Sequence, residues 1–361
     1  MTENVLIAIA WPYANAEIHV GNLTGSHLPG DIIARYHRLK GNNVAMVSGT
    51  DSHGTPVTLR ADAEGISPEE VYKRFHKGFL ELFQQMGISY DLFTTTHTEN
   101  HFKVSQSIFL SLKENGHLYA KKSMQWYSPE AKRFLPDRYV EGMCYICGAE
   151  GARSDQCDVC GNVLEPEKLI DPKAKTGDAL ELRETEHFYL DLSKLEPRVA
   201  SFLRERSAHM RDTVLGESLG KIEAEGLKPR PITRDLDWGI PVPVEGWDGK
   251  CLYVWFEAVI GYLSAPIELS KINETPDAWK AWWTDPKARQ LYFIGKDNIF
   301  FHTALWPAEL MGAGDKFMEI FSSLTTPSPS PASGRGESTL TLPHDVPANQ
   351  FMNLEGQKIS G

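Results

Sequence analysis

The fold is decided by residues 5–22, VLIAIAWPYANAEIHVGN. The first six of these residues are a short and continuous apolar run, which is typical of a parallel strand buried on both faces. From residue 23 to residue 36 the apolar side chains recur at helical spacing. A strand, a polar turn and a helix in this order predict an α/β unit, in which ligands bind beyond the carboxyl ends of the strands. The turn is therefore the first candidate site.

Within this turn, His19 precedes Gly21 by two residues and Asn22 by three. A helix N-terminus offers unpaired N–H groups and partial positive charge, and an imidazole adds a directed donor. Together they suit negative charge that develops on a phosphoryl group. We expect Asn22 to cap the helix. The alternative is a polar turn that carries a solvated histidine, and an isolated H-x-G triplet does not distinguish the two.

Length and composition predict a globular protein of two or three domains. The chain has 361 residues, of which 41% are hydrophobic and 24% charged, so it can bury a substantial core. It contains no run of 18 apolar residues, and residues 1–4 lack the basic and apolar regions of a secretory signal. We therefore expect a cytoplasmic protein without a membrane partner.

The formal net charge of −11 argues against a generally basic nucleic-acid-binding surface. A nucleic-acid site need only be basic locally, and one modest cluster of cations is a candidate. The cluster consists of Lys121, Lys122, Lys132, Arg133 and Arg138. A solvated face of mixed charge explains this cluster equally well.

A second buried strand is expected at residues 43–49, and Asp51 follows its end. A carboxylate at this place can hold the ammonium group of an amino acid through a charge-assisted hydrogen bond. The alternative is that Asp51 caps the following helix. Helical spacing then predicts helices over 68–86 and 101–114, after which the regular alternation of strands and helices stops.

Four cysteines form two C-x-x-C pairs separated by nine residues: Cys144, Cys147, Cys157 and Cys160. A glycine follows each pair and permits the tight turn that brings two thiolates to one metal ion. Four thiolates in a tetrahedral array suit zinc, and such a site is structural because it leaves no open coordination position. Disulfides are the weaker alternative in a chain without a secretion signal, and a redox dithiol needs only one pair. The fifth cysteine, Cys251, lies in an apolar stretch and is expected to be a packed core thiol.

Two later segments place polar or aromatic residues beyond strands. Residues 252–262 read as a strand that runs into a helix, with Trp255 and Tyr262 along it. Aromatic residues in such a place belong to the core more often than to a ligand pocket. Residues 290–302 read as a strand, a glycine turn and a helix start, where Asp297 is suited to a ribose and Lys296 to a phosphate. A lone G-K-D triplet is weak support for a nucleotide site.

These segments resemble the signature motifs of one family, the methionyl-tRNA synthetases of class I. Residues 12–22 are similar to the P-Y-A-N-x-x-x-H-x-G form of the H-I-G-H signature, with Asn22 in place of the second histidine. The motifs G-T-D-x-H-G at 49–54, R-D-L-x-W-G-x-P-V-P at 234–243 and G-K-D-N-x-x-F-H at 295–302 also match. Residues 253–262 match Y-V-W-x-x-A-x-x-G-Y.

The resemblance implies a set of site residues. The implied catalytic residues are His19, Asn22 and Lys358. The residues implied to bind ATP are Pro12, His19, Gly21, Asn22, Gly295, Lys296 and Asp297. The residues implied to bind methionine are Ala10, Trp11, Tyr13, Asp51, Trp255, Ala258, Tyr262 and His302. A thioether is apolar and polarisable and packs well against aromatic edges, which suits this set.

The resemblance also implies an α/β fold with a Rossmann-like, nucleotide-binding parallel sheet. Its first half would span residues 1–115, followed by a connective insertion at 116–230 with a zinc knuckle at about 140–165. The second half would span 231–361 and be incomplete, and the anticodon-binding domain would be absent. Residues 322–341 interrupt the family pattern and are rich in Ser, Thr and Pro, so we expect a low-complexity loop that does not order itself.

The implied function is that of a methionine–tRNA ligase, which joins methionine to ATP with Mg²⁺ and then transfers the methionyl group to methionine tRNA. The chain stops within the second signature, K-M-S-K-S, because Lys358-Ile359-Ser360 is followed by Gly361 and not by the second lysine. Two alternatives stay open. One is a class I synthetase for another amino acid. The other is a truncated, inactive fragment that binds a ligand or partner without turnover.

Overall fold

The computed structural model describes residues 2–325, 340–354 and 357–358, and of residues 353, 354, 357 and 358 only the backbone. The strands are β1 Asn4–Ile9, β2 Asn43–Thr50, β3 Leu92–Thr95, β4 Leu118–Ser128, β5 Arg133–Phe134, β6 Val140–Met143, β7 Ala152–Arg153, β8 Ile170–Ala174, β9 Glu181–Leu190, β10 Arg230–Pro231, β11 Thr233–Arg234, β12 Cys251–Leu252, β13 Arg289–Gly295, β14 Ala348–Asn349, β15 Asn353–Leu354 and β16 Gln357–Lys358. The α-helices are α1 Val20–Asn22, α2 Leu28–Leu39, α3 Thr55–Glu64, α4 Pro68–Gln85, α5 Glu99–Glu114, α6 Leu192–Glu205, α7 Asp212–Glu225, α8 Val254–Ile272, α9 Lys280–Trp283, α10 Trp306–Ala313 and α11 Lys316–Thr325. Leu23–His27 and Phe301–Leu305 are π-helical turns.

Five parallel strands form the central sheet in the order β14-β13-β1-β2-β3. The first strand lies in the middle, where Val5 pairs with Arg289 on one side and with Val44 on the other. Residues 5–9 are fully buried, as expected of an apolar run covered on both faces. The predicted α/β class with a Rossmann-like parallel sheet is confirmed.

Side chains of β1 alternate between two layers of core. Ile7 and Ile9 pack with Ala34 of α2, while Leu6 and Ala8 belong to the core that includes residues of α5 and α8. Helix α2 can approach the sheet closely because Gly30 has no Cβ. A Cβ at this position would lie 2.1 Å from the Cδ1 atom of Ile9. The close packing fixes the helix that follows the candidate turn.

An antiparallel region separates the halves of the parallel sheet. It follows α5 and contains a four-stranded sheet in the order β10-β9-β4-β5, with β4 and β9 paired from Leu118–Leu190 to Tyr127–Glu181. A three-stranded sheet, β7-β6-β8, carries the cysteine-rich segment. Its place between β3 and β13 agrees with the expected insertion, whose boundaries stay predictions.

Helix α11 includes residues 322–325, the first four of the Ser/Thr/Pro-rich stretch, because its apolar face packs Phe317, Ile320 and Phe321 into the core. Residues 326–339 of that stretch lie outside the described residues. The described chain resumes at Leu340, which is buried. Within the described ranges, no helix has the length and apolarity that crossing a membrane requires.

Candidate active site

A cavity of about 1070 Å³ lies beyond the carboxyl ends of β1, β2 and β13. All seven residues predicted for ATP and all eight predicted for methionine line it. They are Ala10, Trp11, Pro12, Tyr13, His19, Gly21, Asn22, Asp51, Trp255, Ala258, Tyr262, Gly295, Lys296, Asp297 and His302. The structure thus brings the two predicted sets together in one space. Of Lys358 only the backbone is described, in β16, and its side chain lies outside the described residues.

His19 caps helix α1 and forms a reciprocal pair of hydrogen bonds with Asn22. The backbone N–H of Asn22 donates to Nδ1 of His19 at 3.3 Å, and the backbone N–H of His19 donates to the Asn22 side-chain oxygen at 3.2 Å. The expectation that Asn22 caps the helix is therefore wrong, since Asn22 is the third helical residue. Because Nδ1 accepts from Asn22, Nε2 is the ring nitrogen that carries a proton and can donate to an anion.

Gly21 allows the His19 ring to lie against the helix start. A Cβ at Gly21 would lie 2.9 Å from both Cε1 and Nδ1 of His19. The π-helical turn Leu23–His27 follows at once, and His302 lies in the second such turn, Phe301–Leu305. Turns of this kind are frequent at functional sites, and both adjoin the cavity.

Asp51 lies at the end of β2 and is buried, with 2% of its surface exposed. Its backbone is tied to the turn after β1, because its N–H donates to the Pro12 carbonyl at 2.8 Å and its carbonyl accepts from Ala14 at 2.9 Å. Helix α3 begins at Thr55 with Gly54 as the cap, so the alternative in which Asp51 caps it is excluded. Burial, and then the charge of Glu257, raise the pKa of Asp51 well above its usual value. A cation is the natural partner for this carboxyl group.

Aromatic side chains form the wall beside Asp51. The indole N–H of Trp255 donates to the Tyr13 hydroxyl oxygen. The Tyr262 hydroxyl lies 2.8 Å from Nε2 of His302, whose Nδ1 lies 2.8 Å from the Asn298 carbonyl. Because a carbonyl only accepts, Nδ1 of His302 carries the proton and Nε2 accepts from the tyrosine. The hydrogen bonds fix these side chains relative to one another where they line the cavity.

Trp11 fits between two glycines that the sequence reasoning did not identify. A Cβ at Gly49 would lie 2.0 Å from its ring, and one at Gly261 would lie 2.6 Å from it. The signal was present in the sequence, because both glycines belong to the matched motifs. A larger residue at either position would displace the indole into the cavity.

The end of β13 supplies the opposite side of the cavity. Gly295 ends the strand, Lys296 and Asp297 begin the turn that follows, and the Lys296 ammonium lies 4.6 Å from the centre of the Phe351 ring. A Cβ at Gly295 would lie 2.8 Å from an Asp297 carboxylate oxygen, so glycine lets this carboxylate lie over the turn.

A buried hydrogen-bond network next to Asp51 was also not predicted from the sequence. Glu257 has no exposed surface, and its two carboxylate oxygens contact His53 at 2.8 Å and His101 at 2.7 Å. Burial lowers the pKa of His53 to about 3, so this imidazole is neutral. The partners are separated by 204 and 156 positions along the chain, and no local pattern connects them.

Two members of the basic cluster considered from the sequence are paired with acidic side chains, as in a face of mixed charge. Lys122 pairs with Glu184 at 2.7 Å, and Arg133 pairs with Asp62 at 2.6 Å. Only Arg138 of that cluster lines the cavity. It does so with three further cations of the antiparallel region, which are Arg153, Lys221 and Arg230.

The four predicted metal ligands lie together in a candidate metal centre. Their sulfur atoms are all within 4.8 Å of one another, with Cys144–Cys160 at 4.0 Å and Cys147–Cys157 at 3.7 Å. Ligands at about 2.3 Å in a tetrahedron give edges of about 3.8 Å, so the four thiols fit one zinc-sized ion. Each pair closes through a glycine N–H that donates to the carbonyl of the first cysteine, at 2.9 and 2.8 Å. Cys251 is buried as expected.

A family model described as tRNA synthetases class I (M) matches residues 5–361. This chain belongs to the class I (M) tRNA synthetase family. The family resemblance expected from the motifs is therefore confirmed. Two curated relatives, each named methionine–tRNA ligase, come from Thermomicrobium roseum and Roseiflexus sp. strain RS-1. Each is 50% identical to this chain, over 361 and 370 residues, which is 100% of this chain and 58% of either relative.

The chain thus spans 58% of the length of these two relatives. A solved structure, that of Mycobacterium tuberculosis methionyl-tRNA synthetase bound by methionyl-adenylate, shares the fold with a TM-score of 0.68 at 24% identity. The match covers 98% of this chain and 58% of that chain.

Proposed function

We propose that this chain activates methionine with ATP, as the catalytic part of a methionine–tRNA ligase. The observation that carries the proposal is that one cavity is lined by the buried carboxyl of Asp51, by an aromatic wall and by the His19 turn. The carboxyl group and the aromatic wall suit an amino acid with an apolar, flexible side chain. The His19 turn suits the phosphates of a nucleotide. The names of the relatives favour methionine over another amino acid.

Activation needs no protein nucleophile. The methionine carboxylate attacks the α-phosphate of ATP in line, a P–O bond to the amino acid forms, and pyrophosphate leaves. Asp51 holds the substrate ammonium, and the Nε2–H of His19, the α1 N-terminus and Lys296 stabilise the charge on the phosphates. The rate gain comes from position and from fixed donors that face the developing charge. Mg²⁺ would accompany the triphosphate of ATP and neutralise part of its charge, and we assign no residue of this chain to it.

We further propose that Cys144, Cys147, Cys157 and Cys160 hold one structural zinc ion. Four sulfur ligands leave no position for substrate, so this metal would stabilise the fold of a segment too small to build its own core. The adenylate would then be attacked by the terminal ribose of methionine tRNA. The cations that line the antiparallel side of the cavity support a polyanionic partner there.

Methionine-dependent ATP–pyrophosphate exchange tests the proposal, measured on the zinc-loaded chain beside leucine, valine and cysteine. We expect exchange with methionine, and at least about tenfold less with each of the others, as shape differences of one or two methylenes allow. Equal exchange with another amino acid would identify a different class I synthetase. No exchange with any of them in a folded chain would identify an inactive fragment.

A further inference from the structure

Glu257 lies in the first turn of α8, two residues after Trp255 and directly before Ala258. It is one of two glutamates without any exposed surface among the described residues, and the second is Glu309. A buried carboxyl is costly unless hydrogen bonds compensate it. Glu257 has two such bonds and Glu309 has none within the described part of the chain. Among the described residues, the carboxyl group of Glu257 therefore orients other side chains, and that of Glu309 does not.

The first bond leads to Asp51. Oε1 of Glu257 lies 2.8 Å from Nδ1 of His53, and the backbone N–H of His53 donates to Oδ1 of Asp51 at 3.4 Å. Nε2 of His53 lies 2.9 Å from Nδ1 of His97. With the proton of neutral His53 on Nδ1, that ring donates to Glu257 and accepts from His97. The arrangement fixes His53 at both nitrogens, and with it the backbone that contacts Asp51.

The second hydrogen bond of Glu257 leads to His101, which lies close to Trp11 of the cavity lining. Oε2 of Glu257 lies 2.7 Å from Nε2 of His101, whose Nδ1 lies 2.7 Å from the Ser264 hydroxyl. The His101 ring centre is 6.3 Å from that of Trp11. One carboxylate thus joins the segment after β2, the start of α5 and helix α8 beneath the amino-acid side of the cavity.

We propose that Glu257 is a positioning residue for the substrate ammonium, which it serves by orienting His53 and, through the His53 backbone, Asp51. The inference rests on the proposed function. Two roles of Glu257 can be told apart by their effect on ligand binding. If Glu257 only joined helices, its loss would affect every ligand of the cavity. A residue that acts on the ammonium affects only ligands that carry one.

The test compares two ligands by calorimetry, L-methionine and its des-amino analogue 4-(methylthio)butanoate. The variant is Glu257→Gln, which keeps the shape of the side chain and replaces one of the two oxygens that contact His53 and His101 by an NH2 group. The matched control is Glu309→Gln, since Glu309 is equally buried but lies in α10 and does not line the cavity. Hydrogen bonds to charged groups contribute enough that we expect the Kd for methionine to rise about tenfold or more in E257Q. The Kd for the analogue stays within about twofold, and E309Q changes neither value.

An unchanged Kd for methionine in E257Q, or an equal loss for both ligands, would overturn the inference. If E257Q does not fold, His97→Gln takes its place in the same comparison. The half-buried His97 contacts Nε2 of His53, the ring nitrogen that Glu257 does not contact. A selective loss for methionine of about threefold or more supports the inference, and no selective loss overturns it. Failure of the parent chain to bind methionine would instead refute the proposed function.

Discussion

Glu309 should destabilise this protein at neutral pH, and Glu309→Met should relieve the cost. Its side chain has no exposed surface, and neither carboxyl oxygen has a hydrogen-bond partner among the described residues. Burial raises its pKa well above the usual range, so the folded chain keeps this carboxyl protonated. In the unfolded chain the group ionises near pH 4.3. Folding at pH 7 must therefore take up a proton.

The sign of the pH dependence follows from the raised pKa. The contribution of this group to stability is fully present below about pH 4.3 and is lost as the pH rises toward the folded-state pKa. Methionine has a similar length and neither titrates nor needs an acceptor partner. Since an unsatisfied buried polar group costs about 1–3 kcal/mol, we expect E309M to raise the free energy of unfolding at pH 7 by at least this amount.

Urea unfolding at pH 7 and pH 4.5 measures this difference, with the slope m compared between variants. The gain from E309M should shrink at pH 4.5, where the unfolded chain no longer releases the proton completely. The control is Leu310→Met, a neighbouring core residue in the same helix, which should cost less than about 1.5 kcal/mol and show no pH dependence. A loss of stability in E309M, or a gain of equal size at both pH values, would refute the reasoning.

Three further predictions concern the cavity and the metal centre. Asp51→Asn should raise the KM for methionine in pyrophosphate exchange about tenfold or more while the KM for ATP changes little, and Asp297→Asn should do the reverse; equal effects on both substrates would contradict the assigned subsites. His19→Ala should lower kcat for exchange by about a hundredfold or more, because a donor to developing charge is lost, and kinetics in which only KM changes would count against that role. Cys147→Ser should lower the bound zinc measured by atomic absorption and expose residues 140–165 to limited proteolysis, while Cys251→Ser should leave the zinc content unchanged; full zinc content in the first variant would contradict the four-cysteine site.

Strands β1 and β2 of the sheet were predictable because they are short and apolar on both faces. Residues 5–10 and 43–49 carry that pattern, and β1 and β2 cover nearly the same positions. The helices predicted at 68–86 and 101–114 were observed as Pro68–Gln85 and Glu99–Glu114. In these elements local spacing and tertiary burial agree, so the sequence alone determines them.

The residues that line the cavity were predictable for a different reason. Parallel strands end at one edge of the sheet, so a motif after each strand is brought to the same place. Asp51 and Asp297 follow β2 and β13, and both line the cavity. Which ligand each residue contacts stays a prediction.

The details that the sequence did not predict depend on contacts between distant segments or on side-chain orientation. The capping of α1 depends on the rotamer of His19, which lets its ring accept from Asn22. Glu257 reaches His53 and His101 across most of the chain length. Strand β9 begins at Glu181 because it pairs with β4 over ten positions, although its first residues are exposed and charged. Local patterns do not encode such pairings.

We propose that one cavity holds methionine and adenosine at the same time. Calorimetry with a sulfamoyl analogue of methionyl-adenylate tests it most directly, beside L-methionine and the leucyl counterpart of the analogue. We expect the methionyl analogue to bind at least about a hundredfold more tightly than methionine, because analogues of bound intermediates gain the interactions of both substrates. The leucyl analogue should bind at least about tenfold more weakly than the methionyl one. A methionyl analogue that binds no more tightly than methionine would contradict the account.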